Sequence, residues 1–315
     1  MNIGIDMMGG DFAPLEVVKG IKAYLANAMA KPTITCIGDE QQVTLLLEEH
    51  GLLNENVTVV HCSQVIDMHE HPTRALKEKQ NSSIAIGFQL LAGGKTDTFI
   101  SAGNTGAMLI GALYSLRAIN GVLRPTISTV VPKLNGAMGL LLDVGLNADC
   151  KPENLNQFAI LGSLYAKTIL DIANPTVGLL NVGEEEGKGN ILAQAAYPLL
   201  KANTHISFIG NIEGRDVLFD KADVMVCEGF TGNIVLKLAE SFYDIAKARQ
   251  YENDPYLTRF NYENYGGTPV LGVTKPVIIG HGISNYQAFA NMINLGQKMI
   301  ETKICQQMEE AFRPA

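Results

Sequence analysis

The chain has 315 residues, 47% of them hydrophobic and 18% charged, with a net charge of -8. That is a globular composition with material for a large core, and its acidity argues against a nucleic-acid binder, which would show a basic stripe. Five scattered cysteines with no C-x-x-C pair fit buried free thiols in a reducing compartment better than a disulfide frame.

The start, Met1–Asp6, has no basic stretch and no long apolar run, so no leader peptide is expected. No apolar run reaches the ~18 residues of a membrane span. Residues 2–6 read as a strand that runs into the Gly-rich turn 7–14, with Pro14 suited to a first helical position. Leu15, Val18, Ile21 and Leu25 then recur at helical spacing. Strands follow at 33–37 and 57–61, with a helix at 41–49 between them. The segment 66–74 is irregular around Pro72, 75–79 is a basic helical turn, and 82–92 is a helix. A strand at 98–100 enters the small-residue turn 101–107, where Thr105 or Asn104 caps a helix running to 118. Strands at 128–132 and 137–144 precede a helix at 156–172. Strands at 176–182, 205–210 and 224–227 follow, with helices at 191–200 and from 234. A strand at 277–279 leads into a final helix. Strand and helix alternate, so a mostly parallel sheet covered on both faces is expected, with its strand-to-helix turns gathered at the carboxyl edge.

Five of these turns share a pattern: 9–14, 101–107, 183–190, 228–233 and 280–285 each follow an apolar strand and mix Gly with polar residues. Any α/β protein needs Gly in its turns. Five such turns, one with a lysine and one with a histidine, favour a site for an anion, because free N–H groups at helix starts bind negative charge. The 183–189 stretch is one residue too short for a P-loop and has Gly189 where a Ser or Thr would hold magnesium. Lys188 is left as a mobile cation beside a helix start. The turn at 280–285 only partly matches a dinucleotide fingerprint. His69 and His71 lack the other ligands of a zinc site. No serine stands in a nucleophile elbow.

Asp6–Pro14, Ser101–Ala107, Val182–Asn190, Glu228–Asn233 and Tyr265–Gly272 resemble the motifs of the phosphate acyltransferase (PlsX) family of bacterial phospholipid synthesis, in the same order, and the likeness runs to about residue 294. The resemblance implies transfer of a fatty acyl group from acyl carrier protein to inorganic phosphate, giving an acyl phosphate for a membrane acyltransferase. It implies no metal, no nucleotide and no other cofactor. It also implies a homodimer, a cytoplasmic location with peripheral contact at the inner membrane left open, and a three-layer α/β/α fold like that of isocitrate and isopropylmalate dehydrogenases. Residues 1–315 would form one continuous catalytic unit, with room for two subdomains flanking a cleft. The alternative weighed on the same fold is an NAD-dependent decarboxylating dehydrogenase, but Asp143, Asp216 and Asp223 do not assemble into its metal site from sequence.

Catalytic work is expected of Lys188, Asn233 and His281. Substrate or phosphate binding is expected of Asp6, Gly9, Gly10, Ser101, Asn104, Thr105, Asp143, Gly187, Asn190, Thr231, Gly232 and Ser284. Two basic groups, Arg74 with Lys77 and Lys79, and Arg117 with Arg124 and Lys133, are candidate docking patches for an acidic carrier. The sequence departs from the family at 241–264, which is short and charged among its aromatics (Phe242, Tyr243, Tyr251, Tyr256, Leu257, Phe260, Tyr262), so membrane contact is expected to be weak or indirect.

Overall fold

The computed structural model describes residues 1–28, 31–53 and 56–313. In chain order its first elements are β1 (Asn2–Asp6), α1 (Leu15–Asn27), β2 (Thr33–Gly38), α2 (Glu40–Glu49) and β3 (Val57–His61). Next come α3 (Pro72–Glu78), α4 (Ser83–Ala92), β4 (Thr98–Ser101), α5 (Thr105–Leu116), β5 (Thr126–Pro132) and β6 (Met138–Leu142). They are followed by α6 (Pro152–Thr168), β7 (Thr176–Asn181), α7 (Ile191–Ala202), β8 (Ser207–Glu213), β9 (Val224–Val226) and α8 (Gly229–Ala248). The chain closes with β10 (Thr268–Leu271), β11 (Val277–Ile279), α9 (Tyr286–Glu301) and α10 (Ile304–Ala311). It divides into two compact units, Met1–Ala118 with Glu263–Cys305, and Ile119–Tyr262 with Gln306–Ala315.

In the first unit the strands lie in the order β3-β2-β1-β4-β11-β10. Every pairing is parallel except β10 with β11. Ile3, Ile5, Ile34, Cys36, Phe99, Ile100 and Ile278 are buried along these strands. Helices cover both faces of a parallel sheet, which is why the strands read as apolar runs rather than alternations. α1 packs on α9, and α4 on α5. Phe88 of α4 meets Phe99 edge to face at 5.1 Å, and Gly111 of α5 leaves the space its ring occupies. Side chains start the helices: Asn104, one of the two expected caps of α5, and also Asp39, Ser82 and Asn285 each accept N–H groups of the first turn.

In the second unit the order is β5-β6-β9-β7-β8, antiparallel between β5 and β6 and parallel elsewhere. α6 buries Leu155, Phe158, Leu161 and Tyr165. Lys133 is wholly buried, and its ammonium meets Asp220 at 3.1 Å and Asp223 at 3.0 Å.

The departures from expectation have local causes. Pro14 is the residue before α1 rather than its first. α6 begins at Pro152, where the missing N–H costs nothing, and ends at Thr168. β8 is Ser207–Glu213, displaced toward the C-terminus. β10 was not expected, because a short segment containing Pro269 reads as a loop. The segment 228–233 is no turn: α8 starts at Gly229, so Thr231, Gly232 and Asn233 are helical. Of the aromatics at 242–260, Phe242 and Tyr256 each stack on the buried Phe260 at 5.3 Å, while Tyr251 stays exposed. The Tyr262 side chain lies outside the described residues. Phe88→Ala should cost about 3–5 kcal/mol, read as a lower urea midpoint with the helical signal of the folded chain retained.

Candidate active site

In the first unit three of the expected turns follow β1, β4 and β11, adjacent parallel strands, and so share one carboxyl edge. They interlock. Asp6 is fully buried; one carboxylate oxygen accepts the Ser101 hydroxyl at 2.6 Å and the other the Met8 N–H at 2.9 Å. Burial pushes the Asp6 carboxyl above its ordinary range, against hydrogen bonds from Ser101, Ser83 and the N–H groups of Met8 and Gly9. Ser101 Oγ in turn accepts the Gly103 N–H at 2.9 Å. A Cβ on Gly9 would stand 2.5 Å from Asp6 Oδ2 and 2.6 Å from Gly103 N, so only glycine fits. The Asp11 N–H donates to Gly282 O at 2.7 Å, which ties the first turn to the last, and a Cβ on Gly10 would stand 3.1 Å from the same oxygen.

The other expected ligands of this unit divide into engaged and open groups. Asn104 caps α5 through its oxygen, and its amide donates to the carbonyls of Asp67, Met68 and Glu70 at 2.9, 3.2 and 3.0 Å. Its carboxamide therefore pins the 66–74 segment. Thr105 is exposed in the first turn of α5. His281 is half-buried and its carbonyl accepts the Ser284 N–H. Ser284 is buried, and its hydroxyl has no hydrogen-bond partner among the described residues.

The second unit repeats the scheme after β6, β9 and β7, which are again adjacent and parallel. Asp143 is fully buried and takes the N–H groups of Gly145, Leu146 and Asn147 at 2.8, 2.8 and 3.0 Å, together with the Asn147 amide. Burial raises its pKa against those bonds. α8 starts directly on this loop. The Gly229 N–H donates to Asn147 O at 2.7 Å, and any Cβ on Gly232 would collide with Asp143 O. The Asn233 side chain lies beside Gly145. Glu228 caps α8: its carboxylate takes the Thr231 N–H and hydroxyl. That helix start already holds a negative charge of its own.

The loop 183–190 follows β7. Asn190 caps α7 through the Ala193 N–H at 2.8 Å, and Asn181 donates to Lys188 O at 3.1 Å. Gly187 is exposed with open space around it. The Lys188 side chain is exposed, and no ion pair to it is found among the described residues. Its acidic neighbours are engaged, Glu184 with Lys221 and Glu186 with Lys201. Beside this loop, Leu155, Leu179, Asn181, Asn190, Leu192, Ala193, Cys227, Glu228, Thr231 and Val235 line a cavity of about 250 Å³.

Sequence reasoning missed Asn147, which locks the Asp143 loop to α8; nothing but its place after an Asp-Val-Gly turn marked it. Glu184, Glu213 and Asp216 bring carboxylate oxygens within 4.8 Å of one another, but Lys221 and Arg215 pair with them. The docking patches are corrected. Lys133 is internal, Arg74 pairs with Glu78, and Lys79 pairs with Glu70, which leaves Lys77 as the exposed, unneutralised member of the first group among the described residues.

A carboxyl whose pKa rises on folding holds its proton more tightly in the folded chain. Its contribution to stability is most favourable below the unfolded value near ~4 and declines as pH rises toward the folded value. Asp6→Asn lacks that decline. The stability of the wild type minus that of the variant should therefore fall as pH rises from about 4, measured by urea unfolding at stepped pH. A difference that grows with pH would contradict the burial argument.

A family model described as fatty acid synthesis protein matches residues 1–307. A phosphate acyltransferase from Dictyoglomus turgidum is 39% identical over 332 aligned residues, covering 99% of this chain and 98% of the relative. One from Aquifex aeolicus is 42% identical over 324, covering 96% and 94%. Among solved structures, a phosphotransacetylase from Streptococcus pyogenes has TM-score 0.68 at 18% identity, over 96% of this chain and 94% of its own. The EutD phosphotransacetylase from Staphylococcus aureus has TM-score 0.65 at 16% identity, over 95% and 94%. At those identities the two structures speak for the mixed α/β fold alone. The family model and the relatives cover nearly all of the sequence, turns and strands together, and by them the protein belongs to the phosphate acyltransferase family.

Proposed function

We propose that the protein transfers a fatty acyl group from acyl carrier protein to inorganic phosphate, releasing the carrier thiol and an acyl phosphate for phospholipid synthesis. The observation that carries this reading is the match to phosphate acyltransferases along almost the full chain. Phosphate at neutral pH is already an anionic nucleophile. The protein's task is to hold it against the thioester carbon and to stabilise the oxyanion that forms. Lys188, unpaired on a glycine-rich loop, supplies positive charge for one of those tasks, and Asn233 an uncharged donor. In the first unit, considered by itself, the orphan hydroxyl of Ser284 and the turn around Gly9 and Gly10 are proposed to bind substrate. His281 is proposed to assist protonation of the leaving thiol, which has an ordinary pKa of about 8.5. The chemistry calls for no metal or nucleotide. The dehydrogenase alternative finds no support among the relatives.

Both units act as one catalytic unit in this proposal, since the family model spans them. The isocitrate-dehydrogenase-like reading of the fold rests on the sequence motifs. A homodimer is supported by the exposed stripe Phe230, Ile234, Leu238 and Ile245 along α8. Among the described residues no helix is long and apolar enough to cross a membrane. A cytoplasmic location is proposed, with indirect contact at the inner membrane through a downstream acyltransferase, because Phe242 and Tyr256 are engaged with Phe260 and the 241–264 segment carries Asp244, Glu252, Asp254 and Glu263.

Release of carrier thiol should depend on added phosphate and proceed without magnesium; a folded sample that releases thiol equally without phosphate would overturn the proposal. Lys188→Ala and Asn233→Ala should each lose about a hundredfold in turnover at an unchanged melting temperature. Lys188→Arg should not restore the full rate, because a planar fork does not replace a compact ammonium. Near-normal turnover in Lys188→Ala would remove that side chain from the site.

A further inference from the structure

We propose that the cavity of about 250 Å³ in the second unit receives the alkyl chain of the acyl donor, an assignment that rests on the acyl-transfer reading above. It opens where β7 and β9 end, beside the loop that carries Lys188. Its walls are Leu155 of α6, Leu179 of β7, Leu192 and Ala193 of α7, and Val235 of α8. The polar groups are confined to Asn181, Asn190, Glu228 and Thr231 and are mutually or locally engaged: Asn190 and Glu228 cap helices, and Thr231 bonds Glu228.

The lining holds no lysine, arginine or histidine, and its one carboxylate already caps α8. A phosphate or nucleotide would find no counter-charge there, whereas a hydrocarbon finds apolar walls. A second hollow of about 420 Å³ shares Asn190, Leu192 and Glu228 with the first, so the two adjoin. Around their mouths Val182 and Ile191 hold apolar side chains largely in water, 80% and 89% exposed. A chain laid past them removes that surface from solvent. Cys227, which lines the inner cavity, donates to Asp143 O at 3.6 Å, so the cavity borders the Asp143 loop. The alkyl tail therefore lies inward while the thioester end stays at the strand edge.

Burying one methylene group is worth about fourfold in affinity, so the cavity would set chain-length preference. Ala193→Leu fills it from α7, and Val235→Phe fills it from α8. The experiment measures kcat/KM for a long-chain and a two-carbon acyl donor in each variant and in the unaltered protein. The ratio of long to short should fall about tenfold or more in either variant. An unchanged ratio in folded variants would overturn the assignment. Should both variants unfold, the unaltered protein is photolabelled with a fatty acyl probe bearing a diazirine at its chain end. Label in peptides carrying Leu155, Leu192 or Val235 supports the cavity, and label confined elsewhere rejects it. Absence of phosphate-dependent turnover with every donor would sink the acyl-transfer reading separately, and label in the cavity would then stand as alkyl binding alone.

Discussion

A carboxylate removed from water is costly unless its oxygens meet donors. This chain does it twice, at the end of β1 and just after β6. Asp6 and Asp143 are each wholly buried, and each is held by the backbone of the turn that follows it. Neither turn stands alone. Gly9 closes the Asp6 cluster onto Gly103, and Gly232 brings α8 onto Asp143. The donors that solvate each carboxylate are thereby fixed at the same strand edge where the other polar side chains emerge. Raised pKa values at both groups show that the hydrogen bonds do not fully offset burial. Each unit keeps a costly group as its organising centre, and substitutions at the surrounding glycines act through that centre.

Much of the fold was legible because it depends on local signals. Apolar runs of three to seven residues marked most strands of both units, and Asn104 stood where α5 begins. What was hidden depends on partners distant in sequence. Pro269 breaks the reading of β10, yet β11 pairs with it. Lys133 looks like a surface cation until Asp220 and Asp223, from a different part of the chain, neutralise it. Asn104 reads as a free amide until three carbonyls of the 66–74 segment claim it.

The motif at 228–233 shows where a sound rule needs a further condition. Gly, Thr and Asn after an apolar strand do mark a helix start, and helix starts do attract anions. Here the anion is already covalently present. Glu228 takes the Thr231 N–H itself, so an incoming phosphate would compete with a tethered carboxylate. The sequence places charge at that position, but only the rotamer of Glu228 says which N–H groups it consumes. The asparagine-capped start of α7 carries no such charge and leaves more of the helix dipole unanswered, whereas at the start of α9 Glu16 takes the Tyr286 N–H at 2.8 Å.

The loop that carries Lys188 has three successive glutamates, and on formal charge alone it repels phosphate. Pairing changes that balance. Lys221 bridges Glu184 and Asp216, and Lys201 pairs with Glu186. Exposed pairs of this kind add little to stability, about 0–1 kcal/mol each. Their consequence is electrostatic: the charge of Glu186 is offset at short range and that of Glu184 in part, and beyond a Debye length of ~8 Å the remainder is screened. Glu185 and Lys188 then remain, both exposed, with open space around Gly187. A protein with an overall charge of -8 can in this way present a loop whose acidity is partly offset and that carries an exposed cation.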